Sequence, residues 1–394
     1  MKDDSRTFQV VEKGIGGKIA FAAAVVGVAA GGAGRLINPA QFYHSYLTAY
    51  IFWTSLALGA LFFVMLHYMV GATWSVVLRR LAENVMVLIP IMAVLFIPII
   101  PGIHGLYHWS HEDYMAGDAI LQSKAAFLNI PFFLVRAVFY FLIWIILSVY
   151  LYRISLAQDS GTAENHIRKA RRVSAPGLIL FAVTITLASF DWLMSLDAHW
   201  YSTIFGVYIF SGALLGFLAF LIFLILGLRK LGCLKDTITP EHYHDLGKLT
   251  FAFVIFWAYM VFSQYFLIWY GNIPEETIWY LHRWEHSWKV VSLILVFGHF
   301  AIPFFVLFPH APKRHPVILG VISVWILLMH WLDIYWIVMP NIHPHGFSFS
   351  WIDIAVMLAI GGIFIGAMWQ RIVSHALVPV RDPKLEDSMN LISH

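Results

Sequence analysis

The residues that could do chemistry in this chain are ionisable and amide side chains set inside long apolar runs. Arg136, Asp191, Gln264, His330 and Asp333 form one such set, and His67, Glu83, Lys248 and His299 another. A charge in hydrocarbon costs at least about 2.5–3.5 kcal/mol at a helix centre. Each of these residues is therefore either functional or held in a buried pair that fixes helix packing. His330 and Asp333 are three apart and share one helix face. An imidazole or carboxylate so placed can take up and release a proton.

The elements that must position them follow from composition. The chain has 394 residues, 60% hydrophobic and 12% charged, against about 25% charged in a soluble domain. Only a bilayer can solvate so much apolar surface. The 16 Trp, 17 Tyr and 32 Phe suit interfacial belts. Ten apolar runs are long enough to cross: roughly 17–34, 45–72, 84–101, 127–152, 174–196, 203–228, 246–271, 287–309, 315–339 and 351–374. The breaks carry turn or charge signals, among them Asn38-Pro39, Arg79-Arg80, Pro101-Gly102, Thr239-Pro240 and Gly271-Asn272. The fold class is thus an all-α integral membrane protein of about ten transmembrane helices.

Charge sets the orientation. Of the 25 Lys and Arg, Arg136 and Lys248 fall within spans and Arg35, Lys124, Arg283 and Lys289 lie on one side. All others, including Lys2, Arg6, Lys13 and the Arg168 to Arg172 cluster, lie on the side of the termini. That asymmetry predicts both termini in the cytoplasm. Residues 1–16 and 375–394 read as cytoplasmic tails of one polytopic domain. Asp3, Asp4 and Glu12 suit a retained tail better than a cleaved leader.

With this orientation Arg136, Asp191, Gln264, His330 and Asp333 fall at one depth, in the outer half. Together they could form a pocket that hydrogen-bonds a quinone head group, with His or Asp taking the protons released on oxidation. The alternative is an Arg136–Asp ion pair and a capping Asp. His67, Glu83, Lys248 and His299 sample the inner half and middle, as a proton relay would, with Tyr259, Thr184, Thr186 and Ser211 as links. The alternative for these is solvated edge charges and packing histidines. His104/His108 and His282/His286 have the spacing of a metal-binding pair, without a fixed motif. Docking of a partner subunit is the stronger reading of these loops. Haem between His67, His299 or His330 is disfavoured by their different depths.

A faint parallel repeat joins His44-Ser45-Tyr46 to His199-Trp200-Tyr201, Leu58-Gly59 to Leu215-Gly216 and Asp191-Trp192-Leu193 to His330-Trp331-Leu332. The two units would be spans 2–5 (45–196) and 6–9 (203–339). Chance similarity among aromatic-rich helices accounts for it as well.

Cys233 is the only cysteine, which excludes an internal disulfide, a Cys-ligated iron–sulfur cluster and a C-x-x-C-H haem attachment. The net charge of +3 gives no reason to expect nucleic acid. Two long stretches carry more information. One runs from Ser189-Phe190-Asp191-Trp192-Leu193-Met194-Ser195-Leu196-Asp197 to Ala198-His199-Trp200-Tyr201-Ser202-Thr203. The other runs from Phe256-Trp257-Ala258-Tyr259 through Ser263-Gln264-Tyr265 to Tyr270-Gly271-Asn272-Ile273-Pro274-Glu275-Glu276. These resemble the second, smaller polysulfide-reductase-like membrane subunit of bacterial alternative complex III, a quinol:cytochrome c oxidoreductase. The resemblance covers nearly the whole chain.

It implies two four-helix bundles, spans 2–5 and 6–9, with spans 1 and 10 outside them, in the bacterial cytoplasmic membrane. It also implies a sibling polysulfide-reductase-like subunit, multihaem and monohaem c-type cytochromes and an iron–sulfur subunit as partners, besides lipids. The subunit would hold no metal or haem of its own, and a quinone such as menaquinone is the implied ligand. Asp191 and Gln264 lie within the matched stretches. The other candidates rest on depth. A scaffold subunit and a stand-alone secondary transporter are the competing readings, the latter supported only by Pro90 and Pro98 in the third span.

Overall fold

The structure is a computed structural model that describes residues 8, 10, 15–161 and 163–391. Lys2, Asp3, Asp4, Arg6, Glu12 and Lys13, on which part of the charge argument rests, lie outside the described residues. Ten helices are long and apolar enough to cross a membrane: α1 Gly16–Ile37, α2 Pro39–Val70, α3 Val76–Leu106, α4 Ile130–Gln158, α5 Ala163–Leu196, α6 Phe205–Lys230, α7 Pro240–Gly271, α8 Trp288–Leu307, α9 Pro316–Asn341 and α10 Trp351–Ser374. No strand occurs among the described residues. The protein is an all-α integral membrane protein. An even number of spans puts the start of α1 and the end of α10 on one side.

Local chemistry sets the ends. The Asn38 side chain accepts from Gln41 N ahead of Pro39, and Thr239 and Ser350 each form a capping box. Gly71 and Asn272 end α2 and α7 in the left-handed region, at φ 63° and 48°. Two spans are irregular. Pro90, Pro98 and Pro101 each lack an amide hydrogen, and α3 passes from α-helix into a 3-10 turn over Ile97–Gly102. In α8 a π-helical turn occupies Leu295–Ala301.

Two expected breaks are corrected. Arg79-Arg80 is not the turn between the second and third spans. That turn lies around Gly71, and both arginines are buried in the first helical segment of α3, Val76–Met86. Pro101-Gly102 does not end the third span, because helical turns continue to Leu106. Hydropathy finds where apolar residues stop, whereas paired charges let a helix continue.

α2 and α6 occupy the centre, with 83% and 78% of their apolar windows buried against 22% for α1. α2 packs on α3 and α5, and α4 packs on both of these. α6 packs on α7 and α9, with α8 between them. The two groups meet through α2 against α6, α5 against α6 and α9 against α2. α1 pairs with α10 outside them through small residues. A Cβ on Gly27 would lie 2.2 Å from the Ala359 nitrogen, and one on Gly362 would lie 2.4 Å from the Ala24 nitrogen. Such contact between backbones is what holds helices together where no hydrophobic drive exists.

Candidate functional site

The polar residues expected at one outer depth do not form one pocket. They divide between the two helix groups. In the first, Arg136 on α4 grips Asp191 on α5 through two hydrogen bonds, Nε to Oδ2 at 2.8 Å and Nη2 to Oδ1 at 2.7 Å. The Tyr140 hydroxyl donates to Oδ2 at 2.8 Å. Arg136 Nη1 donates to the Phe127 carbonyl at 2.9 Å, and the guanidinium lies 3.8 Å and 4.3 Å from the Phe127 and Phe132 ring centres. Both carboxylate oxygens are occupied. This is the arrangement of a buried pair that fixes packing.

The second group is less completely satisfied. Asp333 on α9 accepts from the Tyr208 hydroxyl of α6 and, at 3.1 Å, from the Trp257 indole of α7. His330, one turn away, has Nε2 2.8 Å from the Ser55 hydroxyl of α2. Ser55 already donates to the Phe52 carbonyl at 2.7 Å. It therefore accepts from His330, which puts the ring proton on Nε2 and leaves Nδ1 a bare acceptor. Among the described residues no group hydrogen-bonds His330 Nδ1.

His299 is fully buried in the π-helical turn of α8, and neither ring nitrogen has a hydrogen-bond partner among the described residues. Its ring centre lies 3.9 Å from that of Trp257, tilted by 38°, the same indole that donates to Asp333. Single π turns recur at functional sites, because the extra residue redirects a side chain. Gly216 gives His330 its room: a Cβ there would lie 2.7 Å from the imidazole Cδ2.

The remaining candidates take different places. Gln264 Nε2 donates to the Tyr280 hydroxyl at 2.9 Å, while its Oε1 has no partner among the described residues. Glu83 is not an edge charge in solvent but fully buried. It accepts from Tyr68 at 3.0 Å and Arg80 at 3.1 Å, from the Ser155 hydroxyl, and faces Arg79 at 3.4 Å. Lys248 is partly exposed and pairs with Asp245 at 2.9 Å. His67 donates to the Phe63 carbonyl at 2.6 Å and lies against Phe63 and Trp74, a packing histidine. Of the linking residues, Thr184 donates within its own helix and accepts from the Trp144 indole of α4 at 2.9 Å, Thr186 bonds to its own helix, and Tyr259 faces outward.

Several residues were not legible as site members. Ser55, Tyr208 and Trp257 carry no charge, and Tyr140 is marked only by its one-turn spacing from Arg136. Asp353 at the start of α10 is buried and accepts from Ser45 at 2.5 Å and Gln41 at 3.2 Å. Gln41 in turn accepts from His343 at 2.7 Å. Arg283, read as a loop charge, is buried against Trp279, with its donors on the Trp279, Trp336 and Ile337 carbonyls. Burial pushes its guanidinium down to about 9, against the opposing pull of Asp197, Tyr208 and Tyr280.

Two cavities flank these clusters. One of about 30 Å³, room for roughly one water, lies between the helix groups against Ser55, Trp144, Ser189 and Trp192. The other, about 670 Å³, opens on the side opposite the chain ends, against Trp109, His111, Gln122 and Asn129. No three His, Cys, Asp or Glu residues are grouped to hold a metal ion among the described residues, the outer histidine loops included. In comparisons with known proteins, the chain matches no family model and no curated protein.

Proposed function

We propose that the protein is a membrane subunit of a bacterial respiratory quinol:cytochrome c oxidoreductase complex, and that its second helix group handles protons. One observation carries the proton role: His299, buried in a π turn with both ring nitrogens without a hydrogen-bond partner among the described residues, lies against the indole that donates to Asp333. Together with His330 these groups offer three titratable sites within one buried cluster. Burying such groups incompletely bonded is costly, and proton transfer is a use that rewards open valences.

The assignment to the complex rests on the resemblance of the stretches around Asp191 and Gln264. The excess of Lys and Arg on the side of the termini supports a cytoplasmic placement of that side. The partners would be the sibling membrane subunit, the c-type cytochromes and the iron–sulfur subunit, since one cysteine can neither ligate an iron–sulfur cluster nor attach a c-type haem here. The test is His299→Phe in the intact complex. Proton release per quinol oxidised should fall while cytochrome reduction persists. An unchanged proton yield rejects the role.

A second reading, a quinone site in this chain, is favoured by the cavity of about 670 Å³. Its size suits a ligand, and its wall is continuous with the Phe127 segment that bonds Arg136. Photolabelling with an azidoquinone should then mark residues 109–131. Labelling confined to other subunits excludes it.

A further inference from the structure

The cations on the side of the chain ends fall into two kinds. Arg79 and Arg80 pair with carboxylates, Lys248 with Asp245 and Arg314 with Glu241. Arg168, Lys169, Arg171 and Arg172 at the start of α5 are all exposed and have no ion pair or hydrogen bond among the described residues. Arg168 and Arg172 stand four apart, Arg168 and Arg171 three apart, and Lys169 and Arg172 three apart. Like charges at these spacings repel and destabilise the helix that carries them. Glu164, four before Arg168, is the one acidic residue in the first turn of that helix, and it makes no ion pair with the cluster among the described residues, so the excess of positive charge stands.

The same face changes character within one turn. Above Arg172 it continues through exposed Pro176 to Ile179 and Val183, 69% and 53% exposed. These apolar side chains stand on the membrane side of the charges. The surface therefore presents four cations against one carboxylate at head-group level and an apolar strip at acyl level, on one helix. An acidic protein would match only the first part. An amphiphile with an anionic head matches both.

We propose that the basic end of α5 is a binding site for an anionic phospholipid, its phosphates held by Arg168, Lys169, Arg171 and Arg172 and its acyl chains lying along Ile179 and Val183. Four charges within about one turn favour a head group with two phosphates over one with a single phosphate. Basic clusters beside a membrane helix attract anionic lipid with a contribution from each residue. Arginine adds paired donors that fit phosphate oxygens.

The test is thermal unfolding of the full chain in nanodiscs of phosphatidylcholine titrated with cardiolipin or with phosphatidylglycerol. Cardiolipin should raise the unfolding temperature at a lower fraction than phosphatidylglycerol. The variant R168Q/K169Q/R171Q/R172Q should match the parent in pure phosphatidylcholine and need at least about tenfold more cardiolipin for the same rise. The control K230Q/K235Q/R371Q/R381Q removes four dispersed cations and should keep the parental titration. Should the fourfold α5 variant not fold, R172Q alone should shift the titration in the same direction. Equal loss in the control, no shift in either α5 variant, or equal stabilisation by soluble polyglutamate overturns the proposal.

Discussion

Ser55 and His330 join the two helix groups: the Nε2 of His330 on α9 lies 2.8 Å from the hydroxyl of Ser55 on α2. The contact fixes the His330 tautomer and sits beside the small cavity between the groups. It makes a serine with no sequence signal part of the candidate proton site.

Ser55→Ala should therefore leave His330 without any partner. The expected cost is about 1–3 kcal/mol, that of stranding a buried donor. It would be read as a lower unfolding temperature in detergent, and Ser55→Cys should recover part of it. An unfolding temperature equal to the parent's would mean the contact contributes nothing.

The Arg136–Asp191 pair calls for a double-mutant cycle. Removing one partner leaves the other charge buried, at about 3–5 kcal/mol. Arg136→Met and Asp191→Leu should each be strongly destabilising alone, and the double variant should be more stable than either. Additive losses in the cycle would count against a direct pair.

His299→Phe carries a stability expectation separate from the functional one. The substitution removes two buried nitrogens that lack partners and keeps a ring against Trp257. Stability should be unchanged or slightly raised. A marked fall in unfolding temperature would show that His299 is needed for packing.

Gly27 is confined by the Ala359 backbone. Gly27→Val should separate α1 from α10 without unfolding α2–α9. The readout is loss of a cysteine crosslink engineered between Ala20 and Gly366, where a Cβ on Gly366 would lie 3.7 Å from the Ala20 Cβ. A crosslink of parental efficiency would contradict the backbone contact.

The segment after α10 is tied to the α3 end by Asp382, which accepts from Arg79 at 2.7 Å and Gln158 at 3.0 Å. Lys384 Nζ also donates to the Gly71 carbonyl at 2.7 Å. Burial works to raise the Asp382 carboxyl, but Arg79 and the other donors hold it below its ordinary 3.8. A carboxylate lowered on folding adds stability that is complete above its unfolded value and fades as pH falls through the folded one. The tail should stay docked at neutral pH and loosen below about pH 4, with Asp382→Asn loosening it at pH 7. Hydrogen exchange over residues 377–391 measures this, and parental protection in Asp382→Asn at pH 7 would sink it.

Sequence alone determined the ten spans and their alternation. Spans of hydrocarbon length need about twenty apolar residues whatever they pack against, so the signal is local. It also singled out Asp191, His330, Asp333 and His299, because charge and imidazole inside apolar runs are conspicuous. Depth along a helix follows from residue number. Rotation about the helix and choice of neighbour do not, since the apolar face of a membrane helix can meet lipid or protein alike. That is why Asp191 and Asp333, alike in depth, proved to belong to separate clusters. Only the tertiary structure paired Asp191 with Arg136 and Glu83 with two arginines, and only it placed His299 against Trp257 with no hydrogen-bond partner among the described residues. Those outcomes depend on contacts between residues tens to hundreds of positions apart, and they divide charges held in buried pairs from groups left incompletely bonded.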